Sequence, residues 1–81
     1  MNVHVQFFSY LKDAVGHAEE DLVLGQGATT GDAMAMLCER HRKLADCRRN
    51  ILIAVGLEWV GQDTELKEGD MISLMPPVQG G

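Results

Sequence analysis

The sequence has little positive charge, no long apolar run and few cysteines, prolines or aromatic residues. Its 81 residues include 7 lysines and arginines against 12 acidic residues, which gives a formal net charge of -5. This shortage of basic side chains argues against binding to nucleic acid or to an anionic membrane, because both require neutralisation of phosphates. A partner with a basic surface would suit the chain better.

Signals for membranes and for export are also lacking. No apolar run approaches the roughly 20 residues that span a bilayer, and the N-terminal MNVHVQFF lacks the basic region of a signal peptide. Cys38 and Cys47 have neither CxxC nor metal-ligand spacing, so we expect two reduced thiols in a cytoplasmic protein. The length predicts one small domain.

Catalytic and metal-binding motifs are scarce. The three histidines, His4, His17 and His41, show no HxH or HExxH spacing, so the sequence predicts no metal site. LGQGATTG lacks the lysine of a phosphate-binding loop. Cys38 falls on the apolar stripe of a predicted helix, which favours a packing role. We therefore expect no bound cofactor and no enzyme activity of the domain alone.

Two other polar features are interpreted as structural. The acidic pair Glu19 and Glu20 is expected to be solvated charge at the edge of a strand. His41, near the end of the predicted helix, is expected either to complement the helix dipole or to pack against the core.

The sequence does contain a series of short strand-like segments. Period-two alternation predicts a strand over residues 3–10, with Val3, Val5 and Phe7 toward the core. In the last strand the same alternation places Ile72 and Leu74 on the core side. Further strands are predicted at residues 19–24, 51–55 and 71–75, and a short one near 57–60.

Two helical segments interrupt these strands. LKDAVG predicts one short helical turn that Gly16 ends. Residues 29–44 predict one long helix with an apolar stripe, capped by Thr29 or Thr30, and ADCRRN predicts a polar connector after it.

The order of these elements predicts an α+β fold. We expect a mixed sheet of four to five strands with one main helix across one face, the β-grasp arrangement of ubiquitin. The predicted domain covers residues 1–75, and residues 76–81 form an extended C-terminal tail.

The C-terminal LMPPVQGG is the most unusual stretch. Pro76 and Pro77 cannot continue a strand ladder and favour an extended chain. Gly80 and Gly81 lack a Cβ, so they suit a narrow channel and leave the terminal carbonyl unhindered. A carboxylate is a poor electrophile, but ATP can activate it as an acyl-adenylate. The stretch therefore predicts a tail that enters the active site of a partner.

Four segments together resemble the MoaD/ThiS family of ubiquitin-like sulfur carriers, and within it the branch that serves molybdenum cofactor synthesis. They are FFSYLKDAVG, ILIAVGLEWV, LKEGDMISLM and PPVQGG. The resemblance implies a β-grasp domain whose terminal glycine is adenylated and thiocarboxylated by a ubiquitin-activating-like adenylyltransferase that uses ATP. It further implies sulfur donation to cyclic pyranopterin monophosphate in the large catalytic subunit of molybdopterin synthase, within a heterotetramer.

On this resemblance Gly81 would carry the sulfur and Gly80 would thread the channel. Pro76, Pro77, Val78 and Gln79 would form the docked arm.

Phe8, Trp59 and Met75 are predicted on the faces of their strands opposite the core. If the strands are neighbours, these side chains form an exposed apolar surface at the root of the tail, as protein interfaces do. The alternative is that the single tryptophan is a core residue.

Three other functions remain open. The chain could carry sulfur for another product, such as thiamin thiazole or thiolated tRNA, although thiazole carriers tend to lack the FFSYLKD-type stretch. It could be a ubiquitin-like protein modifier, or a β-grasp interaction module with an inert tail.

Overall fold

The structure, a computed structural model, describes residues 1–77 and contains one mixed sheet covered by helices. Across the sheet the strand order is β2-β1-β5-β3-β4. The central pair β1 and β5 is parallel, and the other three neighbouring pairs are antiparallel. The predicted α+β class and mixed sheet are confirmed. In chain order the elements are β1 (Asn2–Phe7), α1 (Leu11–Val15), β2 (Glu19–Val23), α2 (Thr30–Arg40), α3 (Arg42–Asp46), a 3-10 turn (Arg48–Asn50), β3 (Leu52–Val55), β4 (Glu58–Val60) and β5 (Met71–Met75).

The core side of the sheet follows the predicted alternation. In the two central strands β1 and β5, the residues predicted to face inward are all buried. Leu66, in the long connection before β5, is buried as well and anchors that connection to the core. Apolar burial of this kind contributes roughly 1.5–3 kcal/mol per large side chain. The buried strand residues are Val3, Val5, Phe7, Ile72 and Leu74.

The predicted extension of the first strand to Tyr10 is wrong. The strand ends at Phe7, and Ser9 takes a left-handed conformation with φ = 57°. The Leu11 N–H then donates to the Phe8 carbonyl at 3.2 Å, which starts α1. Gly16 ends α1 as predicted, with φ = 95° in the left-handed region that glycine tolerates.

The start of α2 is fixed by side-chain caps and by a close contact. The Thr29 hydroxyl accepts from the Asp32 N–H at 3.3 Å, while the Asp32 carboxylate accepts from the Thr29 N–H at 2.9 Å. This reciprocal pair confirms Thr29 as the cap. The Gly31 N–H donates to the Gln62 carbonyl at 2.8 Å. A Cβ on residue 31 would lie only 2.8 Å from the same carbonyl oxygen. Only glycine allows the helix to approach this loop so closely.

The prediction of one helix over residues 29–44 is wrong beyond Arg40. His41 adopts an extended conformation (φ = -129°, ψ = 95°), and its carbonyl accepts from the N–H of Leu44 at 3.0 Å to begin α3. Its side chain contacts Glu20 of β2 and packs edge to face against the ring of the buried Phe7. A tertiary contact therefore overrides the local helical pattern. The predicted connector ADCRRN is likewise partly helical, since α3 reaches Asp46 and a 3-10 turn follows.

Within residues 1–77 no helix is both long and apolar enough to cross a membrane.

Candidate functional site

The last strand leads directly to the C-terminal tail. β5 ends at Met75, and Pro76 and Pro77 follow outside any strand, as their chemistry predicts. Both prolines are half-buried. The predicted site residues Val78, Gln79, Gly80 and Gly81 lie outside the described residues, so the predicted extended tail stays a prediction.

Three apolar residues form a row across the open face of the sheet at this end of β5. Met75 lies opposite Leu52 of β3, and both alternate with buried core residues. On the other side of β5, the Phe8 N–H donates to the Leu74 carbonyl at 3.0 Å and so continues the β1–β5 ladder by one residue. Phe8 is 39% exposed. Neighbouring strands lie about 4.8 Å apart, so the row from Phe8 to Leu52 spans about 10 Å.

Trp59 extends this row onto the edge strand β4. It lies opposite Ala54, which alternates with Leu52 on the same face of β3, and it is 62% exposed. The alternative that the tryptophan is a core residue is therefore wrong. An open groove of about 430 Å³ runs between Leu52, Trp59 and Val60. We call Phe8, Leu52, Trp59 and Met75 the apolar patch.

Leu52 is the member of the apolar patch that sequence reasoning missed. The run ILIAV predicts a central strand but assigns no face to its residues; in the structure Leu52 is exposed and its neighbours Ile51 and Ile53 are buried. The signal was the alternation of Leu52 with these two isoleucines. Leu57 and Met71 are further exposed apolar residues, in the β3–β4 turn and at the start of β5.

The β1–β2 side of the open face carries charge. His4 of β1 contacts Asp21 through Nδ1 at 2.6 Å and Glu19 through Nε2 at 2.5 Å. The hydrogen bond to Asp21, and to a smaller extent the one to Glu19, raises the pKa of His4. The hydrogen bond to His4 in turn lowers the pKa of Glu19. We call His4, Glu19 and Asp21 the charged cluster. The open face therefore carries an apolar patch centred on β5, β3 and β4 and a charged cluster on β1 and β2, and the two meet where Phe8 and Glu19 line one open pocket.

On the core side, the structure brings together residues that are far apart in sequence. His17, Glu20 and His41 lie with their ligand atoms within 4.8 Å of one another. The Glu20 side chain is only 12% exposed, so its interpretation as solvated charge is wrong. Burial would raise the pKa of Glu20, but hydrogen bonds from Arg40, His17 and His41 outweigh it and lower that pKa to about 2. His41 thus holds a carboxylate, and sequence spacing gave no sign of this cluster.

Cys38 shows no sign of activation as a nucleophile. Cys38 and Cys47 are free and half-buried, and both pack against the hydrophobic core. Burial raises the pKa of the Cys38 thiol, whereas a nucleophilic cysteine needs a lowered one. The predicted packing role of Cys38 is confirmed.

Comparisons with known proteins agree on one family. The ThiS family matches residues 5–81. The molybdopterin synthase sulfur carrier subunit of Chlamydomonas reinhardtii is 34% identical over the full length of both chains. Because these matches run to the last residue, they include the Gly-Gly terminus.

Solved structures give the same result for the fold. Subunit 1 of a molybdopterin converting factor from Pyrococcus furiosus superposes with a TM-score of 0.87 at 31% identity, covering 96% of this chain and 99% of that one. A structure of subunits 1 and 2 of the molybdopterin-converting factor from Helicobacter pylori contains a chain that matches with a TM-score of 0.73 at 27% identity, covering all of both chains. The predicted ubiquitin-like β-grasp fold is confirmed. The chain belongs to the ThiS family of MoaD-like proteins.

Proposed function

We propose that this protein is the sulfur carrier subunit of molybdopterin synthase, with Gly81 as the residue that carries sulfur. One observation carries the proposal: full-length similarity to a molybdopterin synthase sulfur carrier subunit, in a family match that extends to Gly81. The position of the apolar patch beside the strand that leads to the tail supports it.

The chemistry starts at the Gly81 carboxylate. A carboxylate oxygen attacks the α-phosphorus of ATP in the activating adenylyltransferase, and pyrophosphate leaves. Hydrosulfide then attacks the carbonyl carbon of the acyl-adenylate, and AMP and a proton leave, which gives a thiocarboxylate. ATP is consumed by the activating enzyme, and no cofactor is required by the carrier itself.

The thiocarboxylate then acts as the sulfur donor. Its sulfur attacks an electrophilic carbon of cyclic pyranopterin monophosphate in the large subunit, a carbon–oxygen bond at that carbon breaks, and the displaced oxygen leaves with a proton. Water next hydrolyses the acyl–sulfur bond, so that sulfur stays on the product and the carboxylate of Gly81 returns. A glycine terminus favours each of these attacks because no side chain hinders the carbonyl carbon. The active site lies in the large subunit, and this chain is a covalent carrier.

The apolar patch is the surface we assign to the large subunit. The exposed Trp59 and the half-buried Met75 are residue types enriched at protein interfaces. Docking there would leave Pro76 and the residues after it free to enter the partner, with six extended residues reaching at most about 20 Å. The two-subunit complex from Helicobacter pylori supports such a pairing, and a heterotetramer is the assembly we propose.

Intact-mass measurement tests the carrier function. The purified chain is incubated with the activating enzyme, ATP and a sulfur source. We expect a mass gain that equals replacement of one oxygen by sulfur. Deletion of Gly81, or addition of one residue after it, should abolish the gain while the domain melts at an unchanged temperature. Lysine conjugates of higher mass, or activity that survives either change, would contradict the proposal.

Reconstitution then identifies the product. Addition of the large subunit and cyclic pyranopterin monophosphate to the thiocarboxylated chain should convert the substrate to molybdopterin. If the chain becomes thiocarboxylated but this substrate is not converted, the carrier serves another pathway, such as thiamin thiazole or tRNA thiolation.

A further inference from the structure

Glu20 is an inward-facing carboxylate at the edge of the sheet. It alternates with the buried Leu22 in the edge strand β2, so its side chain lies on the core side. Arg40, at the end of α2, donates to its Oε2 at 2.7 Å. That contact balances the carboxylate charge and leaves the second oxygen, Oε1, to other partners.

Both of those partners are histidines, and both approach through the same ring nitrogen. His17 Nε2 lies 2.8 Å from Glu20 Oε1, and His41 Nε2 lies 2.7 Å from the same oxygen. His17 follows the end of α1, and His41 lies at the break between α2 and α3. Three separate elements therefore bring two imidazole nitrogens and one carboxylate oxygen to a single point.

The rings are held in place around that point. The Phe7 ring meets His17 and His41 edge to face, with centroid separations of 6.0 and 6.4 Å. The two imidazoles are themselves 5.6 Å apart in the same geometry. His41 is mostly buried, whereas the His17 side chain is 45% exposed. The cluster thus has a rigid inner side and an outer side that solvent reaches.

We propose that His17, Glu20 and His41 bind one divalent transition-metal cation through Nε2, Oε1 and Nε2, with water completing the coordination at the exposed side. In a tetrahedral zinc site with bonds of about 2.0–2.2 Å, ligand atoms lie about 3.3 Å apart. The three ligand atoms lie within 4.8 Å of one another. The distance from each histidine Nε2 to Glu20 Oε1 needs to lengthen by only about half an ångström to admit the ion. Each imidazole then carries its proton on Nδ1, and the Arg40 contact orients the ligating carboxylate.

The ligand set selects the class of metal. Two imidazoles and one carboxylate suit Zn²⁺, Co²⁺ or Ni²⁺, whereas Mg²⁺ and Ca²⁺ prefer sites made only of oxygen. A bound ion would join the α1–β2 connection, β2 and the α2–α3 junction. This places it on the core side of the sheet, away from the apolar patch.

Calorimetric titration of the metal-free, full-length chain with ZnCl₂ tests the site. We expect one ion per chain and at least a tenfold loss of affinity in each of His17→Ala, Glu20→Gln and His41→Ala. The matched control is His4→Ala, because His4 also contacts two carboxylates but through opposite ring nitrogens, so its ligands do not converge. A Cys38→Ser/Cys47→Ser variant should bind as the wild type does.

Nuclear magnetic resonance of the wild-type imidazole nitrogens gives a readout that needs no substitution. Zinc should shift the Nε2 signals of His17 and His41 and leave those of His4 unchanged. Co²⁺ should give the visible absorption of a four-coordinate site. The proposal is overturned if millimolar Zn²⁺ shows no saturable binding, if the shifts fall on His4, or if only the cysteine variant loses binding.

Discussion

The two faces of the sheet are built on the same alternating strands but differ in what covers them. On the core face, the inward residues of the central strands are buried beneath the helices. On the open face, the apolar patch includes the end of the strand that leads to the tail, and the charged cluster lies on the neighbouring strands β1 and β2. The inner face of the central strands is therefore uniformly apolar, with His17, Glu20 and His41 at its β2 edge, while the open face carries both an apolar patch and a charged cluster.

This difference separates stability from recognition. Burial of apolar area is the main favourable contribution to folding, so substitutions on the core face should act on the free energy of unfolding. The apolar patch is exposed in the isolated chain, and its area is removed from water only when a partner binds. Substitutions there should act on affinity and leave folding nearly unchanged.

The largest effect is expected from a neighbouring pair in β5 that points to opposite faces. Leu74 is fully buried and Met75 is half-buried on the open face. Leu74→Ala should lower the free energy of unfolding by about 2–5 kcal/mol, because it leaves a cavity. Met75→Ala should lower it by about 1 kcal/mol or less. Urea titration followed by circular dichroism measures both; equal losses would show that the faces do not differ.

The next effect is on binding. Trp59→Ala and Phe8→Asp should each weaken affinity for the large subunit about 10-fold or more, the range of interface anchor residues. Both variants should still melt cooperatively near the wild-type temperature. The control is Glu58→Ala, since Glu58 is an exposed neighbour of Trp59 in β4 that points to the other face. Calorimetric titration gives the affinities, and wild-type affinity in both aromatic variants would rule out the apolar patch.

The fold could be predicted from the sequence because its strands alternate with period two. Val3, Val5 and Phe7 in β1 lie on one face by this rule alone, and turn chemistry at Gly16 and capping at Thr29 marked the helices. The same rule also predicts that Glu20 faces the core, because it lies two residues before the buried Leu22 in β2. We interpreted it as solvated because a charged side chain seldom faces inward without partners.

Those partners could not be predicted, because they depend on how three elements pack together. His17 and His41 are 24 positions apart, and neither helical periodicity nor motif spacing brings them to one carboxylate. The helix break at His41 has the same origin. The residues around His41 favour a continuous helix, and only the tertiary contact to Glu20 accounts for the break. Leu52 was missed for another reason: a short apolar run hides its alternation.

A smaller effect is expected where α2 begins over the core face. Thr29→Ala removes the hydroxyl that accepts from the Asp32 N–H and should cost about 1 kcal/mol of unfolding free energy. Thr29→Ser keeps the oxygen and should recover most of that loss. Urea titration separates the two variants. Equal destabilisation by both would show that the methyl group, and not the cap, stabilises this end of the helix.

The smallest effect is expected at the charged cluster, and it decides how far the interface extends over the open face. Asp21 contacts His4 but is largely exposed, and exposed ion pairs contribute little because water screens them. Asp21→Asn keeps the shape of the side chain and removes its charge. It should change the free energy of unfolding by less than about 0.5 kcal/mol. It should leave affinity for the large subunit within about twofold, since Asp21 lies opposite His4, four residues from Phe8 and so about 13 Å away, beyond the Debye length. If affinity instead falls as far as in Trp59→Ala, the partner covers the charged cluster as well as the apolar patch, and the difference between the two has no role in recognition.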